Sequence, residues 1–282
     1  MQAELAYDAR ATLGEGALWH DGRLLWVDID AGRVNRFDPI TGRNEAWDLG
    51  QPVGTIVPRA CGGYVVGAHR GVGVFDPHSA QLKVLAEPAG GRAELRCNDG
   101  KCDPHGRLFV GTMGMTKPRV PGGLYRIDPD WSMRCVVENT GTANGLAWSH
   151  DRRLMYFVDT PTREIAAFDY DERSGAISGR RAVVRFPEDE PGRPDGMTID
   201  VEGRLWVALY DGGAVVCCDP TTGSILERVE VAARRTTSCA FGGARLDELY
   251  ITTGQEPDRA GSGGLFVARP GVAGVAAFAF AG

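Results

Sequence analysis

Residues 107–113 read RLFVGTM, and residues 123–129 read GLYRIDP. The first run is rich in β-branched and aromatic residues, as a buried strand is. The second closes on Asp-Pro, and proline cannot donate to a strand ladder, so it marks a strand end. The pair recurs along the chain. LLWVDI (24–29), YVVGAH (64–69), LMYFVDT (154–160), RLWVALY (204–210) and ELYITTG (248–254) repeat the first run. RVNRFDP (33–39), GVGVFDP (71–77), IAAFDYD (165–171), AVVCCDP (214–220) and LFVARP (265–270) repeat the second. The second runs end at 39, 77, 129, 171, 220 and 270, in steps of 38, 52, 42, 49 and 50 residues. Six copies at this period, each long enough for four short strands, predict an all-β, six-bladed β-propeller. A β-sandwich with accidental spacing is the competing architecture. Asp21-Gly22, His105-Gly106 and Glu202-Gly203 stand before strands, where glycine supplies the positive φ of a hairpin turn. A closed ring must join its ends, so residues 4–10 (ELAYDAR) are expected to pair with residues 265–269 as the outer strand of the last blade.

Composition agrees with one globular propeller domain over 1–282. The chain is 43% hydrophobic and 24% charged, with 39 glycines and a net charge of −6. Only three residues are lysine (Lys83, Lys101, Lys117) and no segment collects basic side chains, so no nucleic-acid partner is expected. No apolar run approaches the length of a membrane span, and residues 1–10 lack the form of a secretory signal, so no membrane partner is expected. Seven cysteines, an odd number without a Cys-x-x-Cys pair, suit reduced thiols and a cytoplasmic location. Cys217 and Cys218 are expected to lie buried on a strand. The oligomeric state has no signature.

Each repeat opens with a short segment that would line the central channel. Four of the six place a carboxylate or carboxamide directly before glycine: Glu15-Gly16, Asp99-Gly100, Asn144-Gly145 and Asp195-Gly196. These are either turn residues or polar groups converging on the channel. Under the second reading, Glu15, Asn144 and Asp195 bring three hard oxygen ligands from three blades. Such a set suits one divalent metal ion, whether calcium, manganese, zinc or iron, and leaves positions open for water and substrate.

The chain resembles the SMP-30/gluconolactonase/regucalcin-like family of sugar-lactone hydrolases. The motifs that carry the resemblance are LGEGALW (13–19), RCNDGKCDPHGRLFVGTM (96–113), NGLAWS (144–149) and RPDGMTID (193–200), with TSCAFGG at 237–243. The resemblance implies that Glu15, Asn144 and Asp195 hold the metal, and that Asp195 is the general base. It implies that Arg96 and Asn98 hold the sugar, with Asp99 beside them on the substrate side. In animal members a substrate-contacting glutamate follows G-T-M by a few residues. Here Gly111–Met113 are followed by Gly114, Met115, Thr116 and Lys117, so that carboxylate is absent. Loop 115–122 (MTKPRVPG) is a candidate lid that would supply Lys117 or Arg119 in its place.

The implied reaction is hydrolysis of an aldonolactone to its aldonic acid, in pentose or hexose catabolism. The cation would stabilise the oxyanion or lower the pKa of the attacking water. A carboxylate bound to a dication is a weaker base than a free one, so either Asp195 or a cation-bound hydroxide remains open as base. The five histidines (His20, His69, His78, His105, His150) form no metal-ligand spacing, and no G-x-S-x-G elbow occurs. Two other functions share the same fold and polar floor: a propeller phosphotriesterase or other ester hydrolase, and a non-catalytic calcium-binding module.

Overall fold

A computed structural model describes residues 1–116 and 120–282. It is a six-bladed β-propeller in which every blade is a four-stranded antiparallel sheet. The first blade comprises β2 (Gly14–His20), β3 (Arg23–Asp28), β4 (Arg33–Asp38) and β5 (Arg43–Asp48). The second comprises β6 (Val53–Pro58), β7 (Tyr64–Ala68), β8 (Gly71–Asp76) and β9 (Gln81–Ala86). The third comprises β10 (Leu95–Cys102), β11 (Leu108–Gly114), β12 (Gly122–Ile127) and β13 (Met133–Thr140). The fourth comprises β14 (Ala143–Trp148), β15 (Leu154–Asp159), β16 (Glu164–Asp171) and β17 (Ala176–Arg185). The fifth comprises β18 (Arg193–Ile199), β19 (Leu205–Tyr210), β20 (Ala214–Cys218) and β21 (Ile225–Glu230). The last comprises β22 (Thr236–Gly242), β23 (Glu248–Thr253), β24 (Leu265–Ala268) and the N-terminal β1 (Glu4–Tyr7).

The ring closes as the repeat requires. Strand β1 pairs antiparallel with β24, Leu5 opposite Phe266, which covers an edge that would otherwise be open. Asp21 and Gly22 both have positive φ (47° and 73°), the geometry of a tight hairpin turn. Cys217 and Cys218 are fully buried in β20, and all seven cysteines are free.

The innermost strands carry the feature that positions the site. In all six, the register against the second strand slips, and in four the slip lies on or beside the acidic or amide residue that precedes glycine. A bulge of this kind leaves residues unpaired and re-aims their side chains. The following glycine is a packing requirement. A Cβ on Gly145 would lie 2.6 Å from the Asp195 carbonyl oxygen, and one on Gly196 would lie 2.4 Å from Ser238 Oγ. Side chains there would push neighbouring blades apart. The second and last blades lack the pattern and use threonines to tie inner strands together. Thr55 Oγ1 donates to the Gly100 carbonyl (2.9 Å), and Thr237 Oγ1 donates to the Gly14 carbonyl (2.5 Å).

Buried ion pairs in the hairpins add to the frame. Asp103, fully buried, accepts from Arg107 Nε (2.5 Å) and from the Tyr170 hydroxyl of the next blade (2.7 Å). Asp200 repeats the motif, accepting from Arg204 Nε and Trp206 Nε1, each at 2.9 Å. No helix among the described residues is long and apolar enough to cross a membrane.

The C-terminal residues 271–282 form a strap across one end of the channel. The Val201 N–H donates to the Ala273 carbonyl (2.9 Å), the Phe280 N–H to the Pro58 carbonyl (2.8 Å), and the Ala281 N–H to the Gly106 carbonyl (2.9 Å). Phe280 is fully buried, its ring centroid 4.8 Å from that of Trp131. Phe280→Ala is expected to lower unfolding stability in urea by about 3–5 kcal/mol with the m-value unchanged. A loss under about 1 kcal/mol would mean the strap does not support the ring.

Candidate functional site

The first halves of the innermost strands and the loops above them enclose a cleft of about 830 Å³. Glu15 of β2, Arg96 and Asn98 of β10, Asn144 of β14 and Asp195 of β18 all line it. The last halves of the same strands line a separate, mainly apolar cavity of about 360 Å³ at the opposite end of the channel, under the strap. Four inner strands, β2, β10, β14 and β18, therefore reach both the polar cleft and the mainly apolar cavity. Of the residues singled out in the sequence, five meet in the cleft. Asp99 is buried but outside the cleft lining. The proposed lid residues Lys117 and Arg119 lie outside the described residues.

The amide side chains form a directed network. Arg96 Nη1 donates to Asn98 Oδ1 (2.6 Å), and Asn98 Nδ2 donates to Asn144 Oδ1 (2.6 Å) and to the Ala143 carbonyl (2.8 Å). Asn144 Nδ2 donates to Thr160 Oγ1 (2.7 Å), whose hydroxyl donates to the Pro194 carbonyl (2.8 Å). Thr160 opens a 3-10 turn at Thr160–Thr162 and so links the strand of Asn144 to that of Asp195. These bonds orient the Asn144 amide, its Oδ1 towards Asn98 and its Nδ2 towards Thr160. They also place Asn98 directly behind it, so Asn98 orients a candidate ligand as well as bordering the cleft.

The carboxyls are crowded. Burial pushes the Glu15 carboxyl up to about 8, and the nearby Asp99 charge adds to the shift, against the Gly16 N–H and Arg96. Burial and then the charges of Glu15 and Asp99 push Asp195 well above the ordinary carboxylate range. Asp99 is also raised, chiefly by burial, and is partly relieved by Lys101. Lys101 donates from Nζ to the Met197 carbonyl (2.6 Å) and is itself lowered by burial. Asp195 Oδ1 is buried without a hydrogen-bond partner.

A buried carboxylate oxygen with no donor, beside a second buried carboxylate and an oriented amide oxygen, fits a hard divalent cation. Glu15, Asn144 and Asp195 would hold it. Among the described residues no three His, Cys, Asp or Glu side chains gather in metal-ligating geometry. The candidate set has two carboxylates and takes its third oxygen from an amide.

Sequence reading did not anticipate the upper wall. Arg163, residues 188–193, Tyr210, Asp211 and Arg234 line the mouth of the cleft. Arg193 and Tyr210 stand at strand ends, and the others sit in loops and turns between strands, where the repeat carries no signal.

A family model for the SMP-30/Gluconolactonase/LRE-like region matches residues 13–255. The chain belongs to this family, whose members include sugar lactonases. It is 38% identical over 291 residues to the YvrE protein of Bacillus subtilis (strain 168), provisionally named a sugar lactone lactonase, covering 100% of this chain and 99% of that one. It is 38% identical to Homo sapiens regucalcin, covering 95% of each chain. The solved structure of a luciferin-regenerating enzyme superposes with a TM-score of 0.91 at 31% identity, covering 99% of both chains.

The crowded carboxyls make a prediction about proton linkage. The raised Glu15 value means that this carboxyl holds its proton in the folded chain, and not in the unfolded chain, between about pH 4.5 and 8, and the raised Asp99 and Asp195 act in the same direction. The Glu15 contribution to stability is therefore full below pH 4.5 and lost as pH rises through 8. A divalent cation bound by these carboxyls would replace those protons. The thermal stabilisation given by saturating cation over chelator is expected to grow from pH 4.5 to 8 and level off above. A gap that is absent, or constant with pH, would contradict this assignment.

Proposed function

We propose that this chain is a divalent-cation-dependent hydrolase that opens an aldonolactone to its aldonic acid in pentose or hexose catabolism. The observation that carries the reading is the unpartnered, buried Asp195 Oδ1 on the floor of a cleft shared with Glu15, Asn144, Arg96 and Asn98. Membership of a family that includes sugar lactonases supplies the substrate class. Seven free cysteines support a reducing, cytoplasmic setting.

Glu15, Asn144 and Asp195 would hold the cation, with calcium, manganese, zinc and iron as candidates. Once bound, it would supply a Lewis acid for the charge that develops on the lactone carbonyl oxygen. The chain's own groups account for the rest. Arg96 and Asn98 border the cleft and would orient the sugar hydroxyls, since guanidinium and amide groups are both good donors. Asp99 stands outside the cleft lining and would act on substrate only through the charge it adds to Glu15 and Asp195. Water adds to the lactone carbonyl carbon, the ring C–O bond breaks, and the ring oxygen leaves as a hydroxyl. Asp195 is the candidate to take the proton from that water and return it to the ring oxygen. As a ligand it would be a weaker base than a free carboxylate, so the proton would go to whichever Asp195 oxygen the cation leaves free.

The test is acid release in a pH-stat from a panel of pentono- and hexonolactones, with chelator-stripped protein and after restoring Ca²⁺, Mn²⁺, Zn²⁺ or Fe²⁺. Turnover restored by a cation is expected for at least one lactone. Glu15→Gln and Asp195→Asn are each expected to lose about a hundredfold or more in kcat/KM. No turnover with any pair, or near wild-type rates in either variant, would overturn the proposal.

A further inference from the structure

We infer that Arg163 is a positioning residue that builds the acidic wall of the cleft, and that this wall selects polyhydroxylated lactones over unadorned ones. The inference rests on the lactonase reading above and extends it to a residue that no motif marks.

Arg163 follows the 3-10 turn with φ 53°, so its side chain leaves the backbone towards the segment before β18. Its Nε donates to the Phe186 carbonyl (3.3 Å), Nη1 to Gly192 (3.0 Å), and Nη2 to Pro187 (2.6 Å) and Glu190 (2.9 Å). Its own carbonyl accepts from the Phe186 N–H (2.8 Å). One guanidinium thus caps four carbonyls of a single loop. The planar fork of an arginine can do this and the single ammonium of a lysine cannot. The loop turns on itself through the Glu190 N–H to the Pro187 carbonyl (3.1 Å), and Arg228 Nη1 pins Glu190 Oε1 (2.7 Å).

The clamped loop lines the cleft with Glu188, Asp189 and Glu190, and Asp211 faces it from the neighbouring hairpin. Glu188 and Asp189 are exposed. Carboxylates are acceptors, and the donors a sugar lactone offers are its ring hydroxyls. A lactone without hydroxyls offers them nothing. The same 3-10 turn supplies Thr160 to Asn144, so wall and floor share one support.

The experiment compares D-glucono-1,5-lactone with δ-valerolactone in the cation-loaded protein, wild type beside Arg163→Ala, Arg163→Lys and the exposed pair Glu188→Gln/Asp189→Asn. The ratio of kcat/KM for the hydroxylated over the unadorned lactone is expected to fall about tenfold in all three, mainly through KM. Amide hydrogen exchange in residues 187–192 is expected to quicken in the two Arg163 variants and not in the Glu188/Asp189 pair. An unchanged ratio in the Glu188/Asp189 pair, full function in Arg163→Lys, or unchanged exchange in both Arg163 variants would overturn the inference while leaving lactonase activity standing. A wild type that opens neither lactone would overturn the inference, and the lactonase reading falls with it only if the whole pentono- and hexonolactone panel also fails.

Discussion

Three buried carboxyls, Glu15, Asp99 and Asp195, press on one another at the floor of the channel. Burial disfavours their charged forms, and their mutual repulsion adds to this. Lys101 and Arg96 relieve part of the strain, and Asp195 Oδ1 remains without a donor. Such a cluster is costly in an empty core and well suited to a dication. The propeller is the frame that holds these carboxyls together against their repulsion.

The frame works because the inner strands meet closely. Four bulges carry an acidic or amide side chain, and in the fourth and fifth blades the glycine after it lets the next blade approach to contact distance. The pairing of β1 with β24 closes the ring, and the C-terminal strap fastens the apolar end. The two ends of the channel thereby differ: acidic and open at the cleft, apolar and covered beneath the strap.

Much of this was legible in the sequence. The recurrence of runs such as RLFVGTM and GLYRIDP locates the second and third strand of each blade, because those strands are buried and keep their apolar character. The acid-glycine and amide-glycine steps locate the bulges. Apart from β1, the outer strands were not individually visible. β13 and β17 expose most of their side chains and carry no clear alternation. The strap was missed because residues 271–282 are mostly small and apolar, with neither helical nor strand periodicity. The division of roles within the site was also beyond the sequence. The bond from Asn98 to Asn144 spans 46 residues, and the clamp from Arg163 reaches carbonyls 23 to 29 residues away, which carry no side-chain signature at all.

We propose that Glu15, Asn144 and Asp195 make the channel floor a cation site. The most direct measurement is equilibrium dialysis of chelator-stripped protein against each candidate cation, with bound metal counted by mass spectrometry, for wild type and for Asp195→Asn. One divalent cation per wild-type chain, with affinity sharply weakened in Asp195→Asn, is the expected result. A wild type that binds none of them, or a variant that binds as tightly as wild type, would contradict it.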